Sequence, residues 1–321
     1  MMKTKILMMV TMITGTVITM SSENWLSMWM GMEMNLMSFI PLINLKPHKA
    51  SYEASMVYFL VQSISSIILL SMVILIMIKM NNMMTKSTLI MSILIKMGAA
   101  PFHMWLPKVM SVMSWNNNII FMTWQKIAPM YLLNMMEYMK IMNFSIVMTV
   151  VIGALGGLNQ TSLRKIMAYS SINHLGWMMI LSKTKDNWII YIMLYSLLMI
   201  TVCAYFKSFN LLYTNQLFNM NMNNLQKMNL IIIMMSLGGM PPMLGFLPKW
   251  MVIEEMMMDK SMFIITVMIM FSMLTLFFYM RISLKVIMLQ SLNNKWSFNK
   301  NKYNLNMFMI NLVLPVIIML Y

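Results

Sequence analysis

The sequence predicts an all-α polytopic membrane protein, a single transmembrane domain over residues 1–321 with about eleven transmembrane helices. Three observations predict it. Hydrophobic residues make up 60% of the chain and charged residues only 10%, where a soluble domain carries about 25% charged. The mean hydropathy is +0.73. Apolar runs near the ~20 residues that a spanning helix needs recur along the whole chain. In lipid every backbone N–H and C=O has to be paired within the segment, so these runs are helices.

The first run, 4–20, follows Lys3 and Lys5 and so mimics a secretory signal. It lacks an A-x-A-like cleavage site, and a retained helix is expected. The second, 25–45, contains Glu33, and the third covers 52–78. The fourth, 88–106, is interrupted by Gly98 and Pro101, with Lys96 before the break and His103 after it. The fifth, 118–136, carries Lys126 three residues before Pro129. The sixth, 143–159, contains Gly153-Ala154-Leu155-Gly156-Gly157, whose GxxxG spacing lets helices approach closely. Asn159-Gln160-Thr161-Ser162 then ends that span and offers caps for the seventh, 166–182, which holds His174. The eighth, 188–206, contains the single cysteine, Cys203, a small buried hydrophobe with no possible intrachain disulfide. The ninth, 229–253, is broken at Gly238-Gly239-Met240-Pro241-Pro242 and then carries Lys249. The tenth, 262–284, has Arg281 near its end, placed to snorkel. The eleventh is 305–321.

The formal charge of +15 comes from scattered bases between apolar runs, with no clustered patch or nucleic-acid motif. They read as topology determinants, and no nucleic-acid partner is expected. Loops on the N-terminal side carry thirteen bases and those on the other side six, so the N-terminus is expected on the cytoplasm-like side. The 54 methionines come without a Met array beside His or Cys, so they suggest no copper site. There is no nucleotide fingerprint, cysteine cluster or Gly-rich phosphate loop.

Three bases do not belong in lipid. Lys96, Lys126 and Lys249 lie inside spans, where a lysine costs about 2.5–3.5 kcal/mol on insertion scales. Each sits beside a proline, which frees the carbonyl four residues back. Those carbonyls belong to Met97 and Gln125, with Leu237 and Gly238 at the third site. Broken helices beside charges are how transporters build ion sites at mid-bilayer. Glu33 is the one carboxylate deep in a span and the obvious counter-ion for a lysine. His174 lies mid-span, sharing a face with Ser170, and reads equally as a proton relay or a packing histidine. His103 follows the break at Pro101 and is placed to end the same path. Glu53, Glu137, Glu254 and Glu255 read as interfacial, and His48 as a loop residue.

The stretches KMGAAPFHMWLPKVM (96–110), TWQKIAP (123–129), GALGGLNQTSLRKIMAYSSINHLGWM (153–178) and SLGGMPPMLGFLPKW (236–250) together resemble one family. It is that of the antiporter-like membrane subunits of mitochondrial NADH–ubiquinone oxidoreductase, respiratory complex I, and within it the subunit 2 type of arthropods. The methionine excess fits a mitochondrial code that reads an extra codon as Met. The resemblance implies inverted repeats with two discontinuous helices, the spans at 88–106 and 229–253. It implies that Glu33 and Lys96 match the family's glutamate–lysine pair, Lys126 its central lysine and Lys249 the lysine of the second broken helix. These four would line a proton-translocation path, with His174 and His103 as possible relays. NADH, FMN, iron–sulfur clusters and ubiquinone would be used by other subunits, and this chain would bind no cofactor or metal. Its partners would be neighbouring membrane-arm subunits and phospholipids. It would lie in the mitochondrial inner membrane with the N-terminus on the matrix side and the C-terminus on the intermembrane-space side. The alternative reading is a stand-alone monovalent cation/proton antiporter.

Overall fold

The computed structural model describes residues 2–44, 48–79, 82–137, 139–182, 187–219 and 224–288. The expected span at 305–321 lies outside the described residues. Among the described residues thirteen α-helices follow one another: α1 Met2–Ser21, α2 Trp25–Ile43, α3 Lys49–Met77, α4 Met83–Met97, α5 Trp105–Val112, α6 Trp115–Thr123, α7 Ile127–Met135, α8 Lys140–Leu158, α9 Leu163–Leu181, α10 Trp188–Ser208, α11 Asn224–Gly238, α12 Phe246–Met258 and α13 Met262–Ile287. Among the described residues the only β-type pairing is an isolated bridge between Ser162 and Tyr213. The fold is all-α.

Helices α1, α3, α8, α10 and α13 are each long and apolar enough to cross a membrane alone. The others depart from that simple form where the sequence carries polar groups or breakers. Helices α2 and α9 reach 19 residues each, but α2 includes Glu33 and Asn35, and α9 includes Ser170, Ser171, Asn173 and His174. Helix α4 has 15 residues, about 22 Å at 1.5 Å per residue, short of the ~30 Å hydrocarbon core. It needs α5 to complete a crossing. Helix α11, also of 15 residues, needs α12 in the same way.

The two breaks share a design. Helix α4 closes on Gly98 at φ 71°, the left-handed conformation that glycine adopts without a Cβ clash, and Ala100–Pro101 is cis. Helix α11 closes on Gly238, Gly239 takes φ 70°, and Pro241–Pro242 is cis. From glycine onward the two stretches match at identical spacing: Gly98, Pro101, Leu106, Pro107, Lys108 and Met110 against Gly239, Pro242, Leu247, Pro248, Lys249 and Met251. The first broken element runs to Val112, past the expected end at 106. The break inserts an unwound turn, and α5 then continues through Pro107 at its third residue, where a missing N–H costs nothing.

Helix α9 is the axis of the molecule. All twelve residues from Ser170 to Leu181 are buried. It packs on α8 at close range: a Cβ on Gly153 would stand 2.7 Å from the Asn173 backbone nitrogen. Gly157, the other end of the GxxxG pattern, instead meets the Phe278 ring of α13. The pattern therefore closes α8 on two helices. The expected N-cap at Ser162 makes no side-chain cap. The Leu163 N–H donates to the Leu212 carbonyl at 2.9 Å, so the loop after α10 satisfies the start of α9. Arg281 does not snorkel: it donates to the Leu158 carbonyl at 2.6 Å and the Gln160 carbonyl at 3.3 Å, closing the C-terminus of α8.

Polar contacts tie loops on a common side. Lys86 pairs with Glu137 at 2.5 Å, and Asn187 donates to Glu255 at 2.5 Å. At the other end Arg164 donates to the Met113 carbonyl, Trp115 to the Leu211 carbonyl and Lys285 to Thr214. Cys203 is buried, as expected.

Candidate functional site: three buried lysines

Each intramembrane lysine is placed by an irregularity in its helix. Lys96 is on the last turn of α4, just before the left-handed Gly98. Lys126 ends a short 3-10 turn, Trp124–Lys126, that joins α6 to α7 ahead of Pro129. Lys249 is on the first turn of α12, beyond the second break. All three are buried, with 6%, 4% and 5% exposure respectively.

Among the described residues no carboxylate is in contact with any of the three. Among the described residues the one ion pair is Lys86–Glu137, at the surface. Lys126 Nζ donates to the Ser171 carbonyl at 3.0 Å and lies 5.1 Å from the Tyr195 ring centre. Lys249 Nζ donates to the Gly238 carbonyl at 2.8 Å and lies 5.7 Å from the Trp177 ring centre. Gly238 is one of the carbonyls expected to be freed by Pro241 and Pro242, and the lysine folds back across the break to meet it. A Cβ on Gly239 would fall 2.9 Å from Lys249 Cδ, Cε and Nζ, so the glycine also leaves room for the amine.

Glu33 differs from its expectation. It acts on Lys96 and on Tyr58 through space, but its Oε1 is buried without a hydrogen-bond partner and touches neither lysine. Glu33 and Lys96 are therefore coupled charges and not a closed salt bridge. Around Lys96, Gln62 of α3 donates to the Lys96 carbonyl at 3.0 Å. Between Lys96 and Lys126 lies a cavity of ≈ 30 Å³, walled by both lysines together with Asn35, Tyr58, Gln62 and Gln125. That is room for about two water molecules, with enough polar partners to hold them. Gln125 Nε2 donates to the Asn35 side-chain oxygen Oδ1 at 3.2 Å across this cavity.

His174 lies between the other two lysines. Both Lys126 and Lys249 act on it electrostatically, and its Nδ1 is 2.9 Å from the Tyr191 hydroxyl. Ser171, His174 and Trp177 follow at i, i+3 and i+6 on α9, so one face carries the contact to Lys126, the histidine and the contact to Lys249. The serines do not extend this face as a hydrogen-bonded stripe. Ser170 donates to Met167 and Ser171 to Ala168, each within its own helix. His103 lies in the first break, its Nδ1 3.2 Å from the Pro101 carbonyl, apart from the lysine contacts.

Sequence reasoning missed Gln62, Asn35, the side chain of Gln125 and the tyrosines around His174. Their only signal is a polar or hydroxyl group inside an apolar run, which in membrane helices is common and says nothing of its neighbour.

Residues 22–277 match the family described as NADH:quinone oxidoreductase/Mrp antiporter, transmembrane. The chain is 45% identical to NADH-ubiquinone oxidoreductase chain 2 of Anopheles gambiae, over 95% of this chain and 92% of the relative. It is 42% identical to the chain of the same description in Locusta migratoria, over 91% and 88%. The fold resembles a chain of the respiratory complex I of Thermus thermophilus with bound aureothin, with TM-score 0.81, 20% identity, and 88% of this chain and 70% of that one covered. It also resembles a chain of the Mrp complex of Dietzia sp. DQ12-45-1b, with TM-score 0.77, 18% identity, and 87% and 59% covered.

Proposed function

The chain belongs to the NADH:quinone oxidoreductase/Mrp antiporter transmembrane family, and from that premise we propose that it carries one proton path across the membrane, from Glu33 and Lys96 through Lys126 to Lys249. It is a core membrane subunit of the proton-pumping NADH:ubiquinone oxidoreductase, a multi-pass protein of the mitochondrial inner membrane that works with the other subunits of complex I. The oxidation of NADH and the reduction of ubiquinone belong to those other subunits, with their flavin and iron–sulfur clusters.

One observation carries the path: three buried lysines, none held by a carboxylate among the described residues, each beside an irregular helix segment. Protonation of Lys96 changes with the charge on Glu33. The two waters' worth of space beside Lys96 leads to Lys126, and the charge on Lys126 is felt at His174 and so toward Lys249. Eleven spans in two inverted repeats complete the reading, with α4–α5 and α11–α12 as equivalent broken helices. Their shared Gly-x-x-Pro and Leu-Pro-Lys spacing supports this. The lysine-rich loops support an N-terminus on the matrix side. His174 serves as relay on this path; His103, bonded to its own backbone, is at most its mouth.

The test is Lys126→Met in the assembled complex, read as protons translocated per NADH oxidised. A lower ratio with normal assembly on native electrophoresis is expected. An unchanged ratio overturns the path. The likeness to the Mrp complex keeps a second reading, cation/proton antiport. A sodium- or potassium-dependent exchange that Lys126→Met abolishes, in a chain migrating apart from any NADH-oxidising particle, would favour it.

A further inference from the structure

Helix α13 lines a groove that the lysine path does not use. The groove is open and has a volume of ≈ 670 Å³, inside the range of about 300–1,000 Å³ that small-molecule sites occupy. Its wall runs along α13 from Met273 through Phe277 to Met288, all three exposed, and Phe218 of the 3-10 turn Thr214–Asn219 lines it too. Two bases, Arg281 and Lys285, stand on the same wall one helical turn apart. Met273 lies eight residues before Arg281, about 12 Å along the helix. The apolar part of the groove therefore reaches most of the way through one leaflet, which is about half of the ~30 Å hydrocarbon core.

The two bases mark the level where hydrocarbon ends. Arg281 donates to the Leu158 carbonyl at the end of α8 and to the Gln160 carbonyl in the loop beyond it, and loop backbone does not lie in lipid. Lys285 donates to Thr214 Oγ1 at 3.1 Å and to Asn215 Oδ1 at 3.5 Å, and its Nζ is 5.4 Å from the Phe218 ring centre. Every one of these partners is neutral. The two cations act on one another electrostatically, and among the described residues neither meets a carboxylate. Like charges one turn apart repel. An arginine carries five N–H donors and a lysine three, so both keep donors to spare. The wall is also held in place: Gln216 Oε1 accepts from the Leu212 and Tyr213 N–H groups, and the Thr214 N–H donates to the Thr161 carbonyl at 2.9 Å. The turn that carries Phe218 is thus fixed before anything enters.

We propose that this groove seats one anionic phospholipid, its phosphate on Arg281 and Lys285 and one acyl chain along α13 toward Met273. The charge pattern selects that occupant. A phosphate oxygen pair matches the fork of an arginine and relieves the repulsion between the two bases. A zwitterionic headgroup would bring a third cation to the same place. A neutral helix would fill the apolar part and leave the bases uncompensated. Charged mouth and apolar wall lie on one line along α13, as headgroup and tail do in a lipid. Each base adds roughly fivefold to the affinity for an anionic lipid. The site is independent of the lysine path.

The experiment uses the assembled complex, reconstituted into phosphatidylcholine vesicles doped with a photoactivatable phosphatidylglycerol or, separately, with a photoactivatable phosphatidylcholine of the same chains. After illumination, mass spectrometry reads the label on residues 273–288. The anionic probe is expected to label them roughly 25-fold more than the zwitterionic one, about fivefold for each base. Unlabelled phosphatidylglycerol displaces it and inorganic phosphate does not. K285Q, which keeps a donor for Thr214 and loses the charge, lowers the preference roughly fivefold. Equal labelling by the two probes means boundary lipid only and overturns the site. Displacement by inorganic phosphate overturns it too, since the headgroup alone would then be the ligand. No label from either probe means that protein covers the groove, whether the 305–321 run or a neighbouring subunit, and the proposal falls. Should K285Q not assemble, salt decides on the parent complex: the preference shrinks as ionic strength rises, and a preference indifferent to salt refutes the role of the two bases.

Discussion

Replacing Gly153 with alanine tests the packing that sets the site. The new Cβ would stand 2.7, 2.9 and 3.0 Å from the nitrogen, Cα and Cβ of Asn173. These are backbone or backbone-linked atoms, so no side chain can swing aside, and α8 and α9 have to part by about 0.7 Å to restore ordinary contact at 3.4 Å. Overpacking of this kind costs roughly 1–3 kcal/mol. Felt in the barrier to disassembly, that speeds loss of the particle roughly 5- to 160-fold. Gly157→Ala is the internal control. Its Cβ meets Phe278 Cε1 at 2.8 Å, the edge of a ring that can tilt, so it costs less. The assay is the half-life of the in-gel NADH-oxidising particle after heating detergent-solubilised membranes. Because α9 also carries the Ser171 carbonyl and His174, G153A should lower protons pumped per NADH as well. Equal half-lives for G153A and the parent, or a larger loss in G157A, would refute the reasoning.

Two further outcomes follow from the helix ends and the surface. Arg281→Met removes two charge-assisted bonds, one to the Leu158 carbonyl that ends α8 and one to the Gln160 carbonyl just beyond it, and should cost about 2 kcal/mol, with Arg281→Lys recovering part of it in the same heating assay. Lys86→Gln breaks an ion pair whose glutamate is 77% exposed; at roughly 0.2–1 kcal/mol for such pairs, its half-life should stay within about fivefold of the parent, and a larger loss would mean the pair holds α4 to the loop after α7.

The site residues that could be read from the sequence were those that violate a rule of the bilayer. A lysine in lipid and a proline beside it are each costly, so Lys96, Lys126 and Lys249 stood out, and the carbonyl freed at Gly238 is where Lys249 bonds. Gly98 and Gly239 were legible as breaks because a left-handed turn favours glycine. Residues that break no rule were not legible. Tyr191 and Tyr195 sit in an apolar helix that tolerates tyrosine, and they meet His174 from 17 and 21 positions away in sequence, with no period to betray them. Arg281 read as a snorkelling side chain because its carbonyl partners are more than 120 residues away. The Glu33–Lys96 pair was drawn too close. Sequence gives the two charges, but only the packing of α2 against its neighbours sets the separation.

The ligands of the buried lysines fit the proposed path in a way that ion pairs would not. A carboxylate in contact discriminates strongly between ammonium and amine, and breaking a buried pair leaves a lone charge at a cost of about 3–5 kcal/mol. A backbone carbonyl accepts a hydrogen bond from either form. Lys126 on the Ser171 carbonyl and Lys249 on the Gly238 carbonyl are thus held in place whether or not they carry the extra proton. The aromatic faces of Tyr195 and Trp177 then favour the charged form moderately, by about 0.5–2 kcal/mol, without fixing it. Each amine keeps N–H groups beyond its one carbonyl, and for Lys126 the small cavity toward Lys96 is where water can meet them. A lysine so placed stays in position while its charge changes, and a neighbouring charge such as Glu33 can then tip it without first breaking a bond.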